Sequence, residues 1–518
     1  MDHYLVLVIA LLILAVADLM VGVSNDAVNF LTSAIGSKVA PRSIILGIAA
    51  AGVFVGASFS SGMMEVARKG IFNPEFFSYA DVMVVFLAVM ITDILLLDLF
   101  NSFGLPTSTT VSIVFELLGA SVVTGLLAMN ADPTIADSIW EVINHQKASQ
   151  IIAGIFLSVG VAFSIGALVQ FFTRLLFTFR YQERLDKYGA LFAGFAISII
   201  VYFLLVKGIK GAAFVTPEFA ALVNGNGWSI VLGTFVVSAI LVFIAQKLFK
   251  ANPLKLVVLL GTFALAMAFA GNDLVNFIGV PISGYQSYTM WMESGLAAEN
   301  FMMSNLSKAV PTPSLMLYGA GVIMVLTLWF SAKAKKVTDT SVDLGSQGSV
   351  DERFKPNLVA NGIIRSANAF AKFFDKVTPR KTTTIINWRF RSLRIVDKDQ
   401  PAFDLVRASV NLMVASILIA FASSLKLPLS TTYVSFMVAM GASLADRAWG
   451  EGSAPYRVAG VINVIGGWFL TAIGAFTASG IVALIIYFGG FWVAMAMFVI
   501  AFGLLVRNNL PKRNKATA

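Results

Sequence analysis

The chain contains no cysteine, only two histidines among its 518 residues, and just 13% charged side chains. The missing cysteine excludes disulfides, thiolate metal sites and palmitoyl anchors together, and leaves the redox compartment open. His3 stands at the start of the chain and His145 in an acidic loop, so neither supplies a proton relay inside a membrane. No histidine cluster and no nucleophile paired with a base is visible, so the chain is expected not to be an enzyme and to need no organic cofactor. Lys and Arg are absent before Lys38. Segments of about ten alternating residues are absent as well, which excludes a transmembrane β-barrel.

What fills the chain instead is apolar. Hydrophobic residues make up 58% and the mean hydropathy is +0.83, far outside soluble composition. Runs long enough to cross a bilayer, roughly 20 residues each, recur near 4–22, 43–66, 80–103, 106–129, 150–179, 189–206, 228–249, 254–282, 314–331, 405–424, 428–446, 456–487 and 490–506. These runs predict an all-α polytopic membrane protein with about 10–13 transmembrane or re-entrant helices. The first run holds Ala15-Val16-Ala17, which resembles a cleavage site, but Asp2 and His3 give it no basic start, and a retained helix is expected.

The main interruption runs from Lys333 to Lys398, with fourteen Lys or Arg against six Asp or Glu. Basic residues near spans stay in the cytoplasm. The insert and the basic tail are therefore expected inside, the N-terminus outside, and the protein in the cell membrane. The clusters Arg174 to Lys187 and Lys247 to Lys255 agree, as do outer loops holding Asp132, Asp137, Glu141, Glu293 and Glu299, whereas Arg68-Lys69 disagrees. Anionic lipid accounts for the basic insert, and no nucleic-acid partner is expected. The resulting division is a first membrane half at 1–227, the start of a second at 228–332, the insert at 333–398, the rest of the second half at 399–506, and a tail at 507–518.

Two polar phrases are each written twice. Ser24-Asn25-Asp26-Ala27-Val28-Asn29 is echoed by Gly271-Asn272-Asp273-Leu274-Val275-Asn276, each at the end of an apolar run or within one. Pro106-Thr107-Ser108-Thr109-Thr110 is echoed by Pro428-Leu429-Ser430-Thr431-Thr432. Each second copy lies seven apolar runs after its first. If every run crosses once, an odd offset turns equivalent parts to face opposite sides, an inverted-topology repeat with its site where the halves meet. Asp93, Asp98 and Glu116 are further acids in apolar surroundings, open to proton coupling or to helix contacts, and Glu65 is expected at a membrane edge.

Asn-Asp-x-x-Asn on a helix sets two amides on one face beside a carboxylate. Such hard oxygens suit a small cation such as sodium. A proline-led turn followed by hydroxyls and free backbone amides suits an anion at a helix start. Neither phrase has Lys or Arg, and co-transported cations can supply the missing charge, two sodium ions balancing a divalent anion such as hydrogen phosphate. A lone Pro-x-Ser-Thr-Thr is usually a helix cap. Two copies of both phrases in the same order favour a transport site.

The phrases, their order and the hydrophilic insert between their copies resemble the inorganic phosphate transporter family (PiT) over nearly all of the membrane part. The resemblance implies a secondary transporter importing phosphate with sodium or protons. It makes Ser108, Thr109, Thr110, Ser430, Thr431, Thr432, Asn25 and Asn272 phosphate-binding residues, with Asp26, Asn29, Asp273 and Asn276 as sodium ligands. Lipid bilayer, phosphate and the coupling cation are the expected partners, and a homodimer is left open. The family usually reads Gly-Ala-Asn-Asp-Val-Ala-Asn, where this chain has Val23-Ser24-Asn25-Asp26-Ala27-Val28-Asn29 and Ala270-Gly271-Asn272-Asp273-Leu274-Val275-Asn276. Val111 and Tyr433 stand where some relatives have His, which favours sodium over protons. A sulfate or other oxyanion permease of the same fold, and an anion channel, are the alternatives.

Overall fold

The computed structural model describes residues 3–104, 107–204, 216, 218, 221, 225–308, 312–346, 361–362, 365, 369, 376, 378–391, 401–448 and 454–509. Among them the chain is helical, with nine helices long and apolar enough to cross a membrane, or ten if one bent pair counts as a single span. The helices, in order, are α1 (His3–Asp26), α2 (Val28–Gly36), α3 (Arg42–Ser58), α4 (Glu65–Lys69), α5 (Tyr79–Phe103), α6 (Thr109–Ala131), α7 (Ile139–Val142), α8 (His145–Phe177) and α9 (Gln182–Val201). There follow α10 (Gly227–Phe249), α11 (Pro253–Ser294), α12 (Ser314–Phe330), α13 (Ala332–Gly345), α14 (Arg380–Arg389), α15 (Leu405–Ser424), α16 (Thr431–Ala445) and α17 (Ala454–Asn509). Helix α17 is broken at Gly490, whose φ of 62° only glycine adopts at low cost.

The ends of these helices sort onto two faces. Tyr4 packs on Tyr79 and Trp291, which places the starts of α1 and α5 and the end of α11 together on one face, here the His3 face. The end of α2 meets Ala402 on the other, the Gly36 face, through a backbone hydrogen bond of 2.8 Å to Gly36. Helix α5 leaves the His3 face, turns at Gly104 with φ 68°, and α6 returns to it. Both feet of this hairpin, at Asp81 and Asp132, line one cavity of about 690 Å³ with His3, Tyr4, Glu299 and Tyr487. Helices α15 and α16 form a second hairpin whose two feet lie on the Gly36 face. There Arg174 of α8 clamps them, reaching Asp404 at 2.7 and 3.0 Å and Asp446 at 2.6 and 2.8 Å. Arg407 adds a bond of 2.8 Å to Asp446, and Gln170 another of 2.8 Å.

The repeat is therefore inverted by way of hairpins, one per half, each entering and leaving on its own side. The apolar runs of these two pairs are re-entrant, the alternative the sequence reading left open, and do not each cross once. Because one pair stands in each half, the odd offset between the duplicated phrases survives. Equivalent glycines set the hairpins against their long neighbours: a Cβ on Gly119 of α6 would stand 2.1 Å from the Phe476 carbonyl of α17, and one on Gly441 of α16 2.1 Å from the Phe163 carbonyl of α8. Such close approach is the small-residue packing that lipid-embedded helices rely on.

Two boundaries differ from the sequence reading. The first Asn-Asp phrase does not end its helical segment, since α2 continues directly after Ala27, whereas the second lies within its apolar run as the sequence allowed, in the middle of the 42-residue α11. The basic insert also begins later than Lys333. Helix α13 is bent by 70° from α12 and buries Ala334, Val337 and Thr338 in the helical body, with Lys333 bonded to Asp98 at 2.6 Å. Its alternation of buried and basic positions reads as polar only when averaged along the sequence. Arg68 and Lys69, the exception to the charge count, bond the carbonyls of Lys308 and Ser307 on the His3 face at 3.3 and 2.7 Å.

Removing one member of a buried ion pair strands its partner, at a cost of about 3–5 kcal/mol. Asp446→Asn, which leaves Arg174 and Arg407 without their shared carboxylate, is expected to lower the thermal unfolding midpoint of the detergent-purified protein sharply. An unchanged midpoint would show that the clamp does not hold the hairpin.

Candidate functional site

The two hairpin tips meet the two Asn-Asp phrases in the interior. At each tip a serine caps its own helix: Ser108 Oγ accepts from the Val111 amide at 3.1 Å, and Ser430 Oγ from the Tyr433 amide at 3.1 Å. The caps lie two residues beyond the prolines, and Pro428 itself is non-helical; the start of the first tip at Pro106 lies outside the described residues. With the serines committed as caps, the following threonines are the first helical residues and turn their hydroxyls to the carboxylates.

Asp26 accepts from Thr109 at 2.9 Å and from Thr432 at 3.1 Å. Asp273 accepts from Thr431 and, at 3.2 Å, from Thr110. Each carboxylate thus takes one hydroxyl from its own half and one from the other. The amides cross over as well: Asn29 donates to Thr431 and Thr432 at 3.2 and 3.1 Å, and Asn276 to Thr109 and Thr110 at 3.3 and 3.0 Å. Exchanging 26 with 273, 29 with 276, 109 with 431 and 110 with 432 maps this set of bonds onto itself. The site has an internal two-fold symmetry. All of these residues are buried.

The outer amides meet equivalent positions in the two halves, with donor and acceptor roles reversed, and Asn272 also donates to Asp273 at 2.6 Å. Asn25 accepts from the Thr107 amide at 3.0 Å and donates to Asn101 at 2.7 Å. Asn272 donates to the Leu429 carbonyl at 2.8 Å and accepts from Ser423 at 3.2 Å. Asn101 stands eight residues before Thr109, and Ser423 eight before Thr431. The sequence reading missed both, since Asn and Ser in apolar helices look alike only once their offset from the paired phrases is measured. Ser435, bonded to Asn29 at 3.1 Å, was missed too.

The structure therefore brings together Asn25, Asp26, Asn29, Thr109, Thr110, Asn272, Asp273, Asn276, Thr431 and Thr432, with Ser108 and Ser430 in place as caps. Asp98 lies apart in its pair with Lys333, and Glu65 pairs with Lys69 and Lys426 at 3.1 and 2.8 Å. Electrostatically the centre is unusual. Two carboxylates sit where the N-termini of α6 and α16 converge, an end of a helix that favours negative charge. They are held by hydroxyl and amide groups, and no Lys or Arg pairs with either among the described residues. Oxygen-rich, uncompensated sites of this kind suit small hard cations.

Comparison with known proteins places this architecture. A solved structure titled "The sodium-dependent phosphate transporter" aligns over 93% of this chain and 99% of its own with a TM-score of 0.64 at 19% identity, a likeness of fold. A Helicobacter pylori protein provisionally named a phosphate permease is 25% identical over 340 residues, 62% of this chain and 58% of that protein. One from Thermococcus kodakarensis, named likewise, is 26% identical over 285 residues, 52% of this chain and 64% of its own length. The chain thus spans less than two thirds of these relatives' lengths. The profile of the phosphate transporter family matches residues 22–340, which take in the first copy of both phrases and the second Asn-Asp phrase. The chain is a multi-pass membrane protein that belongs to the phosphate transporter family.

Proposed function

We propose that this protein is a secondary active transporter that imports inorganic phosphate by symport with sodium. The observation that carries the proposal is the crossed grip on Asp26 and Asp273, each held by threonines of both halves at the two-fold centre. Two helix N-termini converging on one point favour an anion. The same point already holds two carboxylates, so an oxyanion enters only together with cations that neutralise them. Sodium meets the donor set: carboxylate, hydroxyl and amide oxygens from Asp26, Asn29, Asp273 and Asn276 with the neighbouring threonines. Asn25 and Asn272 then orient the tips around the anion.

Alternating access follows from the inverted hairpins, because one tip is anchored to the His3 face and the other to the Gly36 face while both grip the same carboxylates. The His3 face carries Asp81, Asp132, Glu293 and Glu299, whereas Arg42, Arg174, Lys250 and Arg407 gather toward the Gly36 face. The positive-inside rule then puts the His3 face outside and the Gly36 face in the cytoplasm.

Proteoliposomes holding the purified protein are expected to accumulate labelled phosphate against its gradient when sodium is imposed outside, and excess unlabelled sulfate is expected to leave uptake unchanged. Absence of uptake with either a sodium or a proton gradient would sink coupled symport. Competition by sulfate would move the substrate to other oxyanions, and strictly downhill flux would indicate a channel. Asp26→Asn and Asp273→Asn are each expected to abolish sodium-driven uptake while the protein still inserts; near-normal uptake by both would remove them from the site.

The two-fold exchange sets a finer expectation. Each Thr→Val change removes one hydroxyl donor from a buried carboxylate, worth about 1–3 kcal/mol. Thr109→Val and Thr431→Val should therefore lower the unfolding midpoint equally, and so should Thr110→Val and Thr432→Val. Unequal losses within a pair would contradict the symmetry of the grip.

A further inference from the structure

Two helical turns before Asp26, about 12 Å along α1, stands Asp18, an acid on an otherwise apolar stretch. It is fully buried, and neither carboxylate oxygen accepts a hydrogen bond from a donor of the protein. It is aimed from α1 at the hairpin of α5 and α6, within hydrogen-bonding reach of Asp93. Asp93 in turn lies within reach of Glu116. All three are 0% exposed. The second oxygen of Glu116 accepts from Ser112 at 2.8 Å.

The surroundings offer this trio no compensating charge. Along α1 the ionisable group facing it is Asp26, itself facing Asp273 of α11. Lys333 of α13, on the same side of the body, is committed to Asp98 at 2.6 Å. From α17, Ser479 bonds only the backbone carbonyl of Glu116, at 2.8 Å. Among the described residues no Lys or Arg pairs with Asp18, Asp93 or Glu116, and no three acidic or imidazole groups are arranged to hold a metal ion. The molecule's other buried acids are treated differently: Asp446 has two arginines, Asp98 a lysine, and Asp26 and Asp273 two hydroxyls each.

Ionised carboxylates only accept hydrogen bonds, so two of them within bonding reach share a proton or repel. Three such groups in a chain, buried and without cations, are held together by protons placed between them. We propose that Asp18, Asp93 and Glu116 form a proton-binding site, in which protonated Asp18 and Glu116 both donate to the carboxylate of Asp93. The site lies on the hairpin whose tip holds Asp26 and on the helix that carries Asp26, so its proton occupancy sets the field felt by that carboxylate. The link to transport rests on the proposed phosphate symport; the protonation itself does not.

The test uses the purified full-length protein in sodium buffer without phosphate. Its infrared spectrum at neutral pH is expected to show carboxylic-acid carbonyl bands that shift in heavy water. Glu116→Gln, whose amide keeps a donor toward Asp93, is expected to purify like the parent and lose part of this signal; Asp18→Asn with Glu116→Gln is expected to lose the trio's share. Asp26→Asn with Asp273→Asn is expected to retain it. Spectra of the parent and the Asp18/Glu116 double variant that coincide in this region would overturn the proposal. If the double variant does not fold, coincidence for Glu116→Gln alone overturns it. A second reading follows phosphate uptake against pH, where Glu116→Gln is expected to flatten the profile of the parent, and an unchanged profile would refute the link to Asp26. Failure of the parent to take up phosphate at all would refute the symport reading while leaving the infrared result standing.

Discussion

The structure depends on one constraint: two carboxylates, Asp26 and Asp273, must be buried in the interior without a basic partner. A buried ion left without hydrogen bonds costs several kcal/mol, and the backbone amides of its own helix are spent within the helix, so that α11 offers Asp273 a side-chain donor, Asn272 at 2.6 Å, but no backbone one. The hydroxyl donors come from the first turns of α6 and α16. Since each Asp takes one threonine from each half, neither half completes its own site. The crossed grip joins the two inverted repeats as firmly as a shared apolar surface would, and the amides of Asn29 and Asn276 repeat the crossing one turn further on.

Everything else at the centre serves that grip. Ser108 and Ser430 spend their hydroxyls on capping, which fixes where each helix begins and hence where the next two threonines point. Gly119 and Gly441 let each hairpin approach its long neighbour to backbone contact, which sets the depth of the tips. The Arg174 clamp ties Asp404 and Asp446 at the feet of α15 and α16, so the second tip is positioned from its base. A rigid foot and a hydrogen-bonded tip are what a hairpin needs to carry motion at one end without melting at the other.

Much of this was legible in the sequence, because duplication is a strong signal when it is carried by polar residues in an apolar chain. The helical class, the inverted halves and the ten polar side chains around Asp26 and Asp273 could all be read from the spacing of two phrases. The hairpins could not. An apolar run of 25 residues such as α5 has the length of a span whether it crosses or turns back, and only its feet, meeting at one cavity or one arginine, tell the difference. Asn101 and Ser423 escaped because they differ in residue type and share only an offset. Helix α13 escaped because a half-buried helix with basic residues on its free side averages to a polar stretch. Asp18 lay unremarked in the first apolar run because the acids that explain it, Asp93 and Glu116, are some 75 and 98 positions distant in the sequence.

The chain handles buried acids in three ways, and the differences bear on what each acid is free to do. An aspartate locked to two arginines, like Asp446, has its charge answered permanently and acts as a structural anchor. The carboxylates of Asp26 and Asp273 are answered only by dipoles, which soften a charge without cancelling it, so they retain an attraction for cations that hydroxyl and amide oxygens help to satisfy. Asp18, Asp93 and Glu116 are answered by no cation, only by one another and by the Ser112 hydroxyl on Glu116. Groups of the first kind cannot exchange a cation without breaking the fold, whereas groups of the second and third kinds gain stability by taking one. The chain accordingly keeps permanent ion pairs at the feet of the second hairpin and at Asp98, and leaves its incompletely compensated acids in the interior, open to a cation.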